Sequence, residues 1–171
     1  MRKILLLSVL ILGKCTCLFG QNNSIDPIQQ LVSQIDNDLS LTIKEFDATE
    51  IYGRAYDGGG IIKVFFNQQE LKKIEEEIGL SFGRVSKIIY IEKGMPIKII
   101  DREENFSWNK DNTGWDYSKL NEVFQADIYI FDWDKDDTRI MKKGQRRLSQ
   151  NTSTVFEYEP LIALGVHLWK K

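Results

Sequence analysis

Cysteine is nearly absent from this chain: Cys15 and Cys17 are the only two in 171 residues, and both precede Gly20. Met1-Arg2-Lys3 is a short basic start, and the apolar run from Ile4 to Gly13 follows it. That run is too short to span a bilayer, which takes about 20 apolar residues, but it suits a secretory signal. Leu18 and Gly20 stand at the −3 and −1 places of a cut that would leave residues 21–171. A lipid-anchored form is disfavoured, because Lys14 lies directly before Cys15 and three places before Cys17. The expectation is a periplasmic or secreted protein with residues 1–20 as signal peptide and 21–171 as one α+β domain. The mature chain would then hold no disulfide, no thiolate zinc site and no cysteine nucleophile. It must rely on its core.

Other absences narrow the function. Residues 1–20 carry Arg2, Lys3 and Lys14 and no acid, so the mature chain has 20 basic against 25 acidic side chains, a net of −5. With no long basic stripe, that balance argues against nucleic acid. No second long apolar run offers a membrane span after cleavage. His167, the only histidine, sits among Val166, Leu168 and Trp169 with no nucleophile motif elsewhere, and reads as structural or surface-lying. Asp57-Gly-Gly-Gly60 reads as a turn and not a phosphate cradle, since an apolar strand pattern, Ile61 to Phe66, follows where a helix would be needed. No cofactor motif is present.

What the chain does have is repetition. Ile62-Lys-Val-Phe-Phe-Asn-Gln-Gln-Glu-Leu-Lys-Lys-Ile74 is an apolar-aromatic run, a short turn and a second run with lysine and isoleucine. Lys87 to Ile100 and Tyr129 to Met141 repeat that plan. One hairpin cannot bury its apolar face alone, so three predict hairpins laid side by side. Ahead of them, Asp26-Pro27 and the spacing of Ile28, Leu31, Val32, Ile35 and Leu39 predict a helix near 27–38. Leu41–Phe46 and Glu50–Tyr56 predict strands, and Leu161–Trp169 a closing helix. Glu70–Gly79 is ambiguous: Leu71, Ile74 and Ile78 have helical spacing, while the repeat favours a strand. The strand reading is preferred. Arg102 to Tyr117 reads as the longest loop. The fold class expected is α+β: an N-terminal helix, an antiparallel meander of about seven or eight strands built from repeated hairpins, and a C-terminal helix over one face.

Ile74-Glu-Glu-Glu-Ile-Gly-Leu-Ser-Phe-Gly83, Ile89-Tyr-Ile-Glu-Lys-Gly94 and Ile128-Tyr-Ile-Phe131 resemble small secreted proteins of Gram-negative bacteria with repeated aromatic hairpin phrases. The phrase is also loosely similar to MORN repeats, although the turn glycine occurs here once, at Gly94. The resemblance covers Ile51 to Leu148. It implies a meandering antiparallel sheet and no particular activity.

Three sets of residues are candidates for function. Asp132, Asp134 and Asp136 have the alternate spacing that opens a calcium loop, but Asp137 and Lys143 stand where the loop needs glycine and glutamate. Asn109-Lys-Asp111-Asn-Thr113-Gly114 is a second partial match, and both are also ordinary polar turns. Trp108, Trp115 and Trp133 fall in or beside these stretches and could form a platform at one end of the sheet for sugar or peptide, or plug its open ends. Phe65, Phe66 and Phe131 are expected to carry the core. The carboxylates of Glu75, Glu76 and Glu77 or of Glu103 and Glu104 could supply an acid/base pair, though acidic runs are more often solvated faces. The leading expectation is a non-enzymatic exported binding module whose partner is a protein or glycan of the cell envelope. Its rivals are a carboxylate-dependent hydrolase of envelope glycans and an inhibitor or immunity protein against a secreted enzyme.

Overall fold

The computed structural model describes residues 24–111, 113–147 and 152–171; the expected signal peptide lies outside the described residues. Helix α1 spans Asp26–Asn37, with Pro27 in its first turn and Ile28 and Ile35 buried on one face. Strand β1, Thr42–Asp47, leads directly into a short helix α2, Ala48–Tyr52. The strand expected at Glu50–Tyr56 is therefore not formed. The Asp47 carboxylate accepts hydrogen bonds from the backbone N–H groups of Thr49 and Glu50, at 2.6 and 3.3 Å, and Gly53 closes the helix in the left-handed conformation. An aspartate cap contributes about 1 kcal/mol, enough to override the weak alternation of Ile51 and its neighbours.

Six strands follow: β2 (Gly60–Phe66), β3 (Leu71–Leu80), β4 (Gly83–Glu92), β5 (Met95–Trp108), β6 (Trp115–Asp132) and β7 (Asp137–Gly144). Each pairs antiparallel with its neighbour in sequence, giving a seven-stranded meander. The three repeated phrases are the hairpins β2–β3, β4–β5 and β6–β7, whose turns share one end of the sheet. The ambiguous segment is strand β3. Ile74 and Ile78 are four apart, a spacing that puts two residues on one face of either a helix or a strand. Tertiary partners decide: Glu76 pairs with Lys87, and Glu77 with Arg84, across the β3–β4 ladder.

The long loop expected at Arg102–Tyr117 shrinks to residues 109–114, because β5 and β6 run on to Trp108 and Trp115. Register shifts at Glu103/Glu104 and Phe106/Ser107 interrupt the alternation. Bulges of this kind make a strand look irregular in sequence.

The sheet is the middle of three layers. On its inner face Ile62, Val64, Ile74, Ile89 and Ile99 are fully enclosed beneath Val155, Tyr158, Leu161 and Leu168. The last four come from a 3-10 turn, Val155–Tyr158, and helix α3, Glu159–Lys170. The helix comes so close to β3 that a Cβ on Gly165 would stand 2.3 Å from the Ile74 side chain. On the outer face α1 covers Tyr90 and Ile100 through Ile35. The core is thus mainly isoleucine, joined by Phe124, and the expected phenylalanines lie outside it: Phe66 packs at its edge, Phe65 lies under the Lys73 ammonium and Phe131 under Arg139. Each fully buried isoleucine contributes about 1.5–3 kcal/mol, and β-branched side chains suit the crowded pleat.

Candidate functional site: an aromatic groove

At the end of the sheet opposite the repeated turns, Trp108 and Trp115 stand directly across from one another as the last pair of the β5–β6 ladder. The loop between them is tied down by Asn109. Its N–H donates to the Gly114 carbonyl (2.9 Å), its amide donates to the Thr113 hydroxyl (3.0 Å), and its amide oxygen accepts from the Thr113 N–H (2.9 Å). The register and this short loop stack the indoles with centroids 4.5 Å apart and planes inclined by 31°. A third ring joins from the β3–β4 turn: Phe82 lies 6.3 Å from Trp115 at 30°. The Phe106 N–H holds that turn in place by donating to the Phe82 carbonyl at 3.1 Å. Trp115 is the middle ring of the row. Trp108 is 55% exposed and Phe82 40%. Behind them Phe106 meets Tyr117 edge-on at 5.0 Å.

The row flanks a groove of about 600 Å³ on the inner face, beyond the reach of α3. Asn105, Ser107, Asn121 and Arg147 supply its polar lining. The Asn121 amide donates to the Ser107 hydroxyl at 2.7 Å. Asn105 is only 8% exposed, and its amide oxygen has no hydrogen-bond partner among the described residues. A buried acceptor left unmet costs about 1–3 kcal/mol, so its retention needs a reason. The Arg147 N–H donates to the Glu103 carboxylate at 2.5 Å, which anchors that residue at the groove's rim. Among the described residues the lining holds no carboxylate and one formal charge, Arg147.

Trp133 does not belong to this surface. It lies past the other end of β6, packed edge-on against Phe156 at 5.8 Å and against the main core. At roughly 3.3 Å per residue, an 18-residue strand keeps the two ends beyond the reach of one contact. The expected single platform of three tryptophans is therefore corrected to Trp108 and Trp115, joined by Phe82. Sequence reasoning passed over Phe82, Asn105 and Asn121. An aromatic in the two-residue turn Ser81–Phe82 was the available signal, since such turns favour polar residues.

The calcium candidates do not converge. Asp132 is taken by Lys135, Asp136 accepts from the Val155 N–H at 3.1 Å, and Asp134 is exposed. Among the described residues no three acidic, histidine or cysteine side chains group as metal ligands. The carboxylate candidates scatter over both faces. Glu76 turns inward, bonded by the Tyr52 hydroxyl and by Lys87 (2.7 Å), and Glu103 is fully buried. Glu75, Glu77 and Glu104 border a depression of about 320 Å³ on the outer face, where Lys73 holds the first and Arg84 the other two. His167 is exposed on α3. Between groove and helix lies Asp101, clamped by the Arg146 guanidinium (2.6 Å) and the Tyr158 hydroxyl (2.7 Å). Burial, and then the Asp101 charge and hydrogen bond, push the Tyr158 phenol well above its ordinary pKa.

No helix among the described residues is long and apolar enough to cross a membrane. No protein-family model matches this chain, and no curated protein or solved structure is significantly similar to it.

Proposed function

We propose that this protein is a non-enzymatic binding module acting outside the cytoplasm, with the Trp108–Trp115–Phe82 groove as its ligand site. One observation carries the reading: a stacked aromatic row stays open to solvent beside a buried hydrogen-bond acceptor with no partner among the described residues. Large aromatics at a concave surface with a few convergent polar groups are the usual make-up of a recognition site. The carboxylates that a hydrolase would use are each occupied by a neighbouring base, hydroxyl or N–H. The basic and apolar segment Arg2–Gly13 supports export and predicts a mature chain starting near Gln21.

Capture of ligand from envelope extract tests the reading. Wild-type protein should retain a component that Trp108→Ala fails to retain, while Trp133→Ala retains it in proportion to its folded fraction. Equal retention by the Trp108 variant removes the groove from function. The identity of a retained protein would decide for the inhibitor or immunity reading, and Edman sequencing of native material that begins at Met1 would refute export.

A further inference from the structure

We infer that the groove's ligand is a glycan strand, with a pyranose ring stacked on Trp108 and a hydroxyl donating to the Asn105 amide oxygen. The inference rests on the binding-module reading above and narrows it to one ligand class. Three features of the groove point the same way.

The first is the indole. One face of Trp108 packs on Trp115 while more than half of the residue remains exposed, so the pair presents a flat surface held rigid from behind. An aromatic face carries partial negative charge and attracts polarised C–H groups. A pyranose offers them: one face of the ring is lined by axial C–H bonds, while its rim carries hydroxyls.

The second is Asn105. Its amide oxygen is buried and has no partner among the described residues, and the residue itself lines the same groove. The unmet atom is an acceptor, so it asks for a ligand dense in donors. Sugar hydroxyls satisfy that condition at almost any rotation of the ring, whereas an apolar peptide side chain would leave the oxygen orphaned. The Ser107 hydroxyl and the Asn121 amide, bonded to each other at 2.7 Å, stand beside it as further partners for hydroxyls.

The third is charge. The lining has no carboxylate among the described residues, and Arg147 is its one formal charge. Nothing there selects a cationic peptide, and nothing repels a sugar acid. At about 600 Å³ the groove falls within the range of small-ligand sites and suits a few linked rings lying along it.

Tryptophan fluorescence and calorimetric titration of the full protein with cellotetraose, chitotetraose, tetragalacturonate and an alanine–proline decapeptide test this. At least one tetrasaccharide should bind and perturb the fluorescence. Trp108→Ala should weaken it by about tenfold or more, the scale of one lost recognition contact. Asn105→Leu separates recognition from architecture. It removes an unmet polar atom at nearly constant volume, so the melting temperature should hold or rise while sugar affinity falls about tenfold. If a sugar binds equally well to both variants, its site lies elsewhere and the inference fails. If no sugar binds but the peptide does, or if envelope capture still depends on Trp108, the binding module stands and the glycan class is wrong. If capture is also indifferent to Trp108, the binding reading falls with it.

Discussion

The two ends of the sheet are built from similar hairpin turns but are finished differently. At the end where the repeated phrases turn, each connection satisfies itself. The Asn67 amide oxygen accepts from the N–H groups of Gln69 and Glu70 at 2.9 and 2.8 Å. Lys93 and Gly94 make a two-residue turn with φ of 53° and 77°, the left-handed pair that matches strand twist. The Asp136 N–H donates to the Trp133 carbonyl at 3.1 Å, and the Trp133 ring is packed on Phe156. At the opposite end a tryptophan stays open, a phenylalanine occupies a tight turn, and a buried amide oxygen has no donor among the described residues. Repetition builds the scaffold. The place where local self-satisfaction stops is where this molecule is suited to meet something else.

The strongest way to break that comparison runs along β5. Asp101 and Asn105 share the inner face, but only Asp101 lies in the covered region, clamped by Arg146 and Tyr158. Asp101→Ala removes the buried carboxylate that both groups hold. It should cost about 3–5 kcal/mol, as removing one member of a buried pair does. Thermal unfolding should then fall by roughly 10 °C, at about 2–4 °C per kcal/mol for a domain of this size. A melting temperature within two or three degrees of wild type would erase the distinction between covered and open regions.

The tryptophans sharpen it at a smaller scale. Trp133→Ala should cost about 2 kcal/mol, below the 3–5 kcal/mol of a fully buried aromatic because its side chain is partly exposed. Trp108→Ala should cost less than about 1 kcal/mol, in keeping with a half-exposed ring. Chemical denaturation of both variants measures the gap. Equal losses would mean that Trp108 is a packing residue like its counterpart at the other end.

The smallest effect is expected at alkaline pH. Burial raises the phenol pKa of Tyr52, Tyr90 and Tyr158, and the neighbouring carboxylates Glu76, Asp36 and Asp101 raise it further. A raised pKa means that the folded state holds the proton more tightly than the unfolded chain. The stabilisation is therefore complete below the unfolded phenol value near pH 10 and is lost as pH climbs through the raised folded values. Phenolate absorbance of the native protein should lag that of the guanidinium-unfolded chain by the share of these three tyrosines. Tyr90 and Tyr158 sit in the covered body of the fold and Tyr52, 38% exposed, at its margin; coincident titration curves would show that this body is no more closed than the groove.

Much of the scaffold was legible because its signals are local. Proline near the start of α1, the period of Ile28, Leu31 and Ile35, and three hairpin phrases need no knowledge of distant residues. Less of the site was legible. Helix α2 depended on one aspartate cap competing with a weak strand pattern. The lengths of β5 and β6 were hidden by bulges that shift the side-chain alternation. The isoleucine core was underrated against the bulkier Phe65 and Phe131, which ended at the margins beneath Lys73 and Arg139.

By itself the sequence determined the three hairpins and the two terminal helices, because turn chemistry and hydrophobic period act within a few residues. Only the tertiary structure decided that Leu71–Leu80 is a strand, since an apolar spacing of four suits both periods and the cross-strand ion pairs arbitrate. Tertiary structure alone also set Trp115 between Trp108 and Phe82 and sent Trp133 to the other end. Those neighbours are fixed by ladder register across separate strands, and one slipped residue would have turned each ring to the opposite face.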